Sequence, residues 1–350
     1  MTNLTALPAG SLVLVTGANG YIGSHVVNTL LQLGYRVRGT IRSPKPWLDN
    51  LFETKYGPGV FESYVLPSFD DSALLDQCLD GTSGIVHVAS DVSFNDDPNS
   101  VIPWVVRAVE NVLEAASRHS SIKRFVLTSS SSAVLIPVPN KEGVQVDEGT
   151  WNEAAVKAAF DPSVKSSNKP YVVYAASKTL GEQAAWKWIE QHNPRFVFNA
   201  ILPNFNAQLQ ALTSECIQTG EILHENIGGS TMGLIRKVLK GDNGLFAFLT
   251  PQYYVDVVDT ARLHAIALLA PSVKSQRIFA FAAPFNVTDV ISILRGLRPD
   301  HKFDDPPANE GQDLTEVVPA PKAEKLLQEY FGQKEWTPLK ESIAAGIRDL

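Results

Sequence analysis

The sequence predicts an α/β protein with a doubly wound parallel sheet and a smaller, mainly helical C-terminal domain. Short β-branched runs alternate with longer amphipathic stretches along most of the chain, as in βαβ units. The runs LVLVT and FVLTS are almost continuously apolar, which is typical of strands buried on both faces of a sheet. No repeat of about 20–50 residues occurs, which argues against a solenoid.

The expected elements follow one another with the spacing of βαβ units. Strands are expected where β-branched residues cluster, at Leu12–Thr16, Tyr35–Ile41, Tyr64–Leu66, Gly84–Val88, Arg124–Thr128, Phe196–Leu202 and Arg277–Phe281. Helices are expected where apolar residues recur with a helical period, at Tyr21–Leu33, Ser72–Leu79, Trp104–His119, Tyr174–Gln191 and Val255–Leu269. Right-handed crossovers between such strands place helices on both faces of one sheet.

A glycine-rich turn directly follows the first expected strand and opens a helix. It reads Thr16-Gly17-Ala18-Asn19-Gly20-Tyr21-Ile22-Gly23. Gly17 allows the tight turn, Gly20 the close approach of a pyrophosphate, and Gly23 the packing of helix on strand. The phosphate then lies against the N–H groups and the positive end of the helix dipole. Glycine also marks ordinary turns, but this strand–turn–helix context predicts a Rossmann-type doubly wound parallel sheet that binds a dinucleotide.

The end of the second expected strand distinguishes NADPH from NADH. An acid about 20 residues beyond the glycines would accept the ribose hydroxyls of NAD, yet no acid occurs here before Asp49. Arg42 lies at the strand end, where its guanidinium can pair with a 2′-phosphate through two parallel hydrogen bonds. Arg38 lies on the same face and can support it; alternatively, Arg36 and Arg38 are solvated charges at the strand edge. NADPH is therefore the expected cofactor.

The alternation of strands and helices weakens in the C-terminal part of the chain. Residues 205–252 are rich in loops, and residues 283–350 carry most of the later prolines. We therefore expect an NADPH-binding domain over residues 1–204, to which residues 253–282 return as a helix and a strand. The second lobe is expected to combine residues 205–252 with 283–350. The cleft between the lobes is the expected place for a substrate.

Composition excludes several classes of protein. The chain has 350 residues with 30 Lys+Arg against 37 Asp+Glu, and the net charge of −7 argues against a nucleic-acid binder. No apolar run approaches the roughly 18 residues that span a bilayer. The first basic residue is Arg36, so we expect a cytoplasmic protein without a signal peptide or membrane contact. Cys78 and Cys216 form no ligand cluster, and His87 and His264 are expected to be structural, so no metal site is expected.

Tyr174 and Lys178 form a Tyr-x-x-x-Lys pair on an expected helix, a spacing that stacks the phenol and the ammonium on one helix face. Ser130 follows an earlier strand and is expected at the same carboxyl edge of the sheet. Reduction of a carbonyl leaves negative charge on oxygen that must be stabilised and protonated, and an adjacent ammonium favours the phenolate form of a tyrosine. Alternatively, Tyr174 is a core aromatic, Lys178 a solvated charge and the serine run a turn or cap.

These motifs together resemble a known family. TGxxGxxG near the N-terminus, TSS after a mid-chain strand and YxxxK on the next long helix resemble the extended short-chain dehydrogenases/reductases. A narrower resemblance, to the fungal NADPH-dependent aldehyde and carbonyl reductases related to plant dihydroflavonol 4-reductases, rests on VLVTGANGYIGSHVV, YRVRGTIRS, KRFVLTSSSSAVLIP, VYAASKTLGEQAAWKW, NAILPN and PQYYVDVVDTARLH. It extends from about residue 8 to the end and is densest before residue 205.

The resemblance implies roles for individual residues. The implied catalytic triad is Ser130, Tyr174 and Lys178. Besides Tyr174 and Lys178, the expected contacts with NADPH are Gly17, Gly20, Tyr21, Ile22, Gly23, Arg42, Phe69, Ala89, Ser90 and Pro203. The expected substrate contacts are Phe94, Ser130, Asn204 and Leu234. The chain departs from the family at Ser68-Phe69, where an acid usually precedes an apolar residue near the adenine, and it matches poorly over residues 205–250.

The expected function is an NADPH-dependent carbonyl reductase that reduces aldehydes, ketones and keto esters to alcohols with a tyrosine proton donor. The cleft is expected to offer apolar surface rather than carboxylate clamps, from Phe94, Val134, Leu202, Phe205 and Leu234. Two alternatives stay open: a nucleotide-sugar epimerase or dehydratase on the same scaffold, and a non-catalytic NADP-binding protein. A small-molecule carbonyl substrate is the expected partner, and the sequence is compatible with a monomer or a homodimer.

Overall fold

A computed structural model describes residues 6–165, 167–204, 218–228, 230–242 and 249–350. The strands are β1 (Leu12–Thr16), β2 (Arg36–Ile41), β3 (Phe61–Val65), β4 (Thr82–His87), β5 (Arg124–Thr128), β6 (Gln145–Val146), β7 (Val197–Pro203), β8 (Gln218–Thr219), β9 (Gln252–Asp256), β10 (Arg277–Ala280), β11 (Ala283–Phe285) and β12 (Glu316–Val317). The helices are α1 (Tyr21–Gln32), α2 (Pro46–Tyr56), α3 (Ser72–Leu79), α4 (Pro98–Arg118), α5 (Glu153–Phe160), α6 (Lys169–His192), α7 (Ser230–Val238), α8 (Val257–Leu269), α9 (Val287–Leu297), α10 (Ala320–Phe331) and α11 (Leu339–Gly346).

The main sheet has the expected parallel, doubly wound topology. Its order in the described residues is β3-β2-β1-β4-β5-β7-β10, and every neighbouring pair is parallel. Because the order reverses between β1 and β4, a crevice opens there at the carboxyl ends of the strands. Four neighbouring strands end at this edge with Thr16, His87, Thr128 and Pro203.

The core covers both faces of the main sheet, and β1 shows how one strand serves both. Val13 and Val15 belong to a cluster with the buried residues of α1 and α8. Leu14, which points to the opposite face, belongs to a second cluster with α4 and α6. All three side chains are buried. This double burial explains the unbroken apolar run of the strand.

Element boundaries differ from expectation where polar residues or proline interrupt the apolar pattern. Strand β3 begins at Phe61 rather than Tyr64, because it is the edge of the sheet and can carry the polar Glu62. Helix α4 begins at Pro98 and continues through Pro103, a residue that ordinarily marks a helix boundary. The Asp97 side chain caps it by accepting from Asn99 N–H.

The second lobe contains a three-stranded sheet in the order β11-β9-β8, with α7, α9 and α11 packed in the same apolar cluster. Helix α10 was expected in this lobe, yet its Ala323 and Leu327 lie in the main-sheet core beside α8. Its alanine and leucine spacing would suit either lobe, so the sequence alone does not place it. Within the described ranges, no helix is both long and apolar enough to cross a membrane.

Candidate active site

The glycine turn folds as a close-packed cradle at the start of α1. Gly17 has a φ of 67°, a left-handed conformation that strains residues with a Cβ atom. A Cβ at Gly23 would lie 2.1 Å from the Gly17 carbonyl oxygen, so only glycine lets α1 begin this close to β1. Gly20 caps α1 without a side chain, which leaves the first N–H groups of the helix for an anion. The turn therefore fits the pyrophosphate of a dinucleotide.

The Tyr21 side chain contacts the second lobe rather than this cradle. Its hydroxyl donates to the Gly220 carbonyl oxygen at 2.9 Å, and its ring meets His25 edge-on at 5.6 Å. The ring packs in the apolar cluster of the second lobe, and burial raises the pKa of Tyr21 well above its usual value. Tyr21 can therefore offer its backbone N–H to a cofactor, but not its side chain. Ile22 and Gly23 offer their backbone N–H groups in the same turn.

Two arginines of the β2 segment have different environments. Arg42 follows β2 directly, with an exposed side chain at the carboxyl end of the sheet, where a 2′-phosphate is expected. Arg38 instead donates to Glu62 at 2.7 Å and to the carbonyl oxygens of Cys78 at 2.8 Å and Asp80 at 2.9 Å. These bonds cap the C-terminal end of α3. The expected support of a 2′-phosphate by Arg38 is therefore wrong, because its Nε and Nη1 donors hold the guanidinium against Glu62 and the end of α3.

Thr16 organises the segment after β4. Its Oγ1 accepts hydrogen bonds from Val88 N–H and Ala89 N–H, both at 3.0 Å. A Cβ at Gly17 would lie 3.2 Å from the Ala89 Cα, so this segment lies directly against the glycine turn. The Phe69 ring meets the His87 ring edge-on at 5.2 Å and lies near the same edge. The expected cofactor contacts at Phe69, Ala89 and the following Ser90 thus lie together.

The structure brings Ser130, Tyr174 and Lys178 to one place. Lys178 Nζ on α6 donates to the Thr128 carbonyl oxygen at 2.8 Å, two residues before Ser130. Helix α6 also packs against the 3₁₀ turn at Ser131–Ala133. Ser130 is fully buried, and its Oγ accepts from Ser132 N–H at 3.2 Å and Ser132 Oγ at 2.9 Å. Both lone pairs are thus used, which directs its own O–H towards another acceptor.

Tyr174 lies one helical turn before Lys178 and is 3% exposed. The Phe94 ring stacks on its ring, with centroids 5.0 Å apart and planes 18° apart. Phe94 has a φ of 52°, an uncommon conformation for an aromatic residue, at the centre of a loop held by side-chain turns at Asp91 and Ser93. The loop therefore holds the expected substrate contact Phe94 directly on the expected proton donor.

A buried ion pair behind the serine turn was not found by the sequence analysis. Glu182, one turn after Lys178, accepts from Ser129 Oγ at 2.7 Å and from Arg277 Nε at 2.8 Å. Arg277 also donates to the Glu148 carbonyl oxygen at 2.7 Å, and its guanidinium stacks on the Trp151 ring. The period Tyr-x-x-x-Lys-x-x-x-Glu along α6 was the available signal, since it extends the same helix face by one turn.

The remaining expected substrate residues are scattered. Asn204 directly follows β7 and is 4% exposed, and its Oδ1 has no hydrogen-bond partner among the described residues. Leu234 is half-buried on α7 against the second-lobe cluster. Val134 and Leu202 are buried in the main-sheet core, so the expectation that they offer surface to a substrate is wrong. Phe205 lies outside the described residues, as does Cys216.

Comparison with known proteins supports the resemblance found in the motifs. Residues 13–280 match the NAD dependent epimerase/dehydratase family. The chain is 44% identical over 345 residues to ketoreductase adrE of Penicillium rubens, covering 97% of each protein. It is 38% identical to aldehyde reductase 2 of Sporidiobolus salmonicolor, covering 96% of this chain and 95% of that protein. The structure of Gre2 from Candida albicans with NADPH superposes with a TM-score of 0.74 at 25% identity, covering 97% and 98% of the two chains.

Proposed function

The chain belongs to the NAD dependent epimerase/dehydratase family, and we propose that it is an NADPH-dependent carbonyl reductase of aldehydes, ketones and keto esters. Relatives named as ketoreductase and aldehyde reductase share 38–44% identity over nearly the whole chain. The observation that carries the proposal is the hydrogen bond from Lys178 to the Thr128 carbonyl, which holds the helix of Tyr174 against the turn of Ser130.

The cofactor site is proposed to run along the carboxyl edge of the main sheet. Gly17, Gly20 and Gly23 would hold the pyrophosphate against the N-terminus of α1, and the exposed Arg42 would pair with the 2′-phosphate. Ala89 borders this cradle on the β4 side. When bound, NADPH supplies the hydride that reduces the carbonyl carbon. The absence of an acid between the glycine turn and Asp49 supports NADPH over NADH.

The side chains divide the remaining work. The Ser130 hydroxyl, whose lone pairs are occupied by Ser132, donates to the carbonyl oxygen and fixes its direction. The Tyr174 phenol transfers its proton to the same oxygen, and the Lys178 ammonium stabilises the phenolate that remains. The stacked Phe94 ring shields Tyr174 from water and offers an apolar surface to the substrate.

The test is a screen of NADPH oxidation with aldehydes, α- and β-keto esters and aryl ketones, with chiral analysis of the alcohols. Tyr174→Phe is expected to lower kcat by about 10²- to 10⁴-fold while NADPH still binds. Tyr171→Phe is the matched control, because it removes a phenol of the same burial one turn earlier on the helix. Near-normal turnover in Tyr174→Phe would exclude it as the proton donor. No NADPH oxidation by the wild-type protein across the panel would refute the reductase.

The epimerase alternative loses support in the second lobe. A nucleotide-sugar diphosphate needs cationic side chains there, and residues 205–250 contain Arg236, Lys237 and Lys240. Arg236 donates to the Asp349 carboxylate at 2.7 Å and to the Gly346 carbonyl oxygen at 2.9 Å, so its charge is used within the lobe. Isomerisation of a nucleotide sugar without added cofactor would reverse this ranking.

A further inference from the structure

The serine run after β5 folds so that one serine hydroxyl donates to another. Ser130 and Ser132 are both fully buried, the first as the N-cap of the 3₁₀ turn and the second within it. Ser132 Oγ donates to Ser130 Oγ at 2.9 Å, and Ser132 N–H donates to the same oxygen at 3.2 Å. Since these two bonds fill the lone pairs of Ser130 Oγ, the hydroxyl of Ser130 acts towards any further group as a donor.

Asn152 holds this turn in place from the neighbouring helix. Its Nδ2 donates to the Ser132 carbonyl oxygen at 2.8 Å, and its N–H donates to the Ala133 carbonyl oxygen at 2.9 Å. Its Oδ1 caps α5 by accepting from Ala155 N–H at 3.0 Å. Asn152 is itself buried, at 5% exposure. The backbone that carries the Ser132 hydroxyl is therefore fixed by buried hydrogen bonds that do not depend on a substrate.

A hydroxyl that accepts a hydrogen bond becomes a stronger donor, because the bonds of a chain polarise one another in a buried site of low dielectric constant. Reduction of a carbonyl builds negative charge on its oxygen as the hydride reaches the carbon. A chain of two hydroxyls that ends on this oxygen therefore stabilises the transition state more than the ground state. Ser132 and Ser130 form the first two members of such a chain.

We propose that Ser132 is a positioning residue for carbonyl reduction, whose hydroxyl orients and strengthens the hydrogen bond that Ser130 donates to the substrate oxygen. This inference rests on the proposed function. Ser132 acts through Ser130 and does not itself contact the substrate. Its removal is expected to lower kcat and kcat/KM together and to leave KM unchanged, because the bond that it strengthens matters most once the oxygen carries charge.

The test is a double-mutant cycle of Ser130→Ala and Ser132→Ala, assayed with the carbonyl compound that the wild-type protein reduces fastest. Ser132→Ala is expected to lower kcat about three- to tenfold, which is less than the roughly 10²- to 10³-fold loss of a direct donor in Ser130→Ala. In the Ser130→Ala background it is expected to cause no further loss, because the donor through which it acts is gone. Equal losses in both backgrounds, or an unchanged kcat in Ser132→Ala, overturn the proposal.

The same cycle distinguishes this inference from the proposed function. A wild-type protein that reduces no carbonyl compound refutes the reductase, and the role of Ser132 fails with it. An active wild-type protein with equal losses in both backgrounds refutes the role of Ser132 alone.

Two control variants separate positioning from a structural role. Ser132→Thr keeps the hydroxyl and is expected to retain most of kcat. Ser177→Ala removes another fully buried serine hydroxyl, which donates to the Tyr174 carbonyl oxygen at 2.7 Å, and is expected to leave kcat near the wild-type value. A loss in Ser177→Ala as large as that in Ser132→Ala would make the effect structural and would overturn the proposal.

Infrared spectroscopy measures the polarisation of the carbonyl without turnover. The probe is the same carbonyl compound bound together with NADP⁺, which cannot reduce it. A weaker hydrogen bond leaves a stronger C=O bond, so the stretching frequency is expected to rise in Ser132→Ala, towards its value in Ser130→Ala. A frequency in Ser132→Ala equal to that of the wild-type protein overturns the proposal.

Discussion

Breaking the buried ion pair between Glu182 and Arg277 is predicted to destabilise the protein strongly. The two side chains are 0% and 6% exposed, and the carboxylate accepts from Arg277 Nε at 2.8 Å and Nη2 at 3.2 Å. Ser129 Oγ and Trp186 Nε1 complete its shell at 2.7 and 3.1 Å. Removing either partner leaves the other charge buried and unpaired, which costs about 3–5 kcal/mol.

The assay is urea denaturation of Glu182→Gln, Arg277→Met and the double variant. We expect the double variant to lose less free energy of unfolding than the two single variants together, because it leaves no unpaired charge. For side chains in direct contact this difference is expected to be about 0.5–3 kcal/mol. The matched control is the exposed pair Arg118–Asp76, with side chains 42% and 40% exposed. Arg118→Met is expected to cost less than about 1 kcal/mol.

A loss below about 1 kcal/mol in Arg277→Met, equal to that of the exposed control, would refute this reasoning. It would mean that water or a rearranged side chain compensates the Glu182 carboxylate. Additive losses in the double variant would separately show that the two charges do not act as a pair. The pair would then have no part in holding Ser129, and through it the serine turn, against α6.

Three further predictions concern the cofactor site and pH. Gly23→Ala is expected to abolish NADPH binding in a fluorescence titration, because its Cβ would lie 2.1 Å from the Gly17 carbonyl oxygen; unchanged affinity would contradict the cradle. Arg42→Asp should weaken NADPH far more than NADH, and equal weakening would remove the 2′-phosphate contact. Burial, then Asp259, raises the pKa of Asp256 to about 6. Ionisation of the Asp256 carboxyl therefore opposes folding, and the free energy of unfolding falls as the pH rises through 6. Asp256→Asn should flatten that part of the dependence of the free energy of unfolding on pH.

The topology was predictable because it rests on local patterns. The run Leu12–Val15 is apolar at every position, which is typical of a strand buried on both faces of a sheet. The expected bounds of α3, Ser72–Leu79, agree with the structure for a similar reason. The signals are local: an Asp71 cap comes directly before a short helical pattern of apolar residues. Where a boundary depended on tertiary contacts the prediction failed. Edge strand β3 tolerates the charged Glu62 because Arg38, its direct neighbour on β2, donates a hydrogen bond to it.

The side-chain roles of arginines and of strand leucines were less predictable, because one residue type serves several purposes. Arg38 and Arg42 look alike in sequence, yet the first caps α3 and the second stays exposed. Leu202 was expected to face a substrate, but strand alternation turns it into the core. By contrast, the proximity of Lys178 to the turn of Ser130 was predictable, because a parallel sheet places the residue after a strand and the neighbouring helix at the same carboxyl edge.

The contact between the two lobes shows most clearly what the sequence does not reveal. The Tyr21 hydroxyl donates to the carbonyl oxygen of Gly220, 199 positions away, and His25 Nε2 donates to that of Glu221 at 2.8 Å. Both acceptors are backbone atoms, so no side-chain motif marks them. Trp47, on the helix after Arg42, stacks on His224 at 4.6 Å. Both segments expected to bind NADPH phosphates therefore contact the stretch from Gly220 to His224 that follows β8, so they lie against the same part of the second lobe.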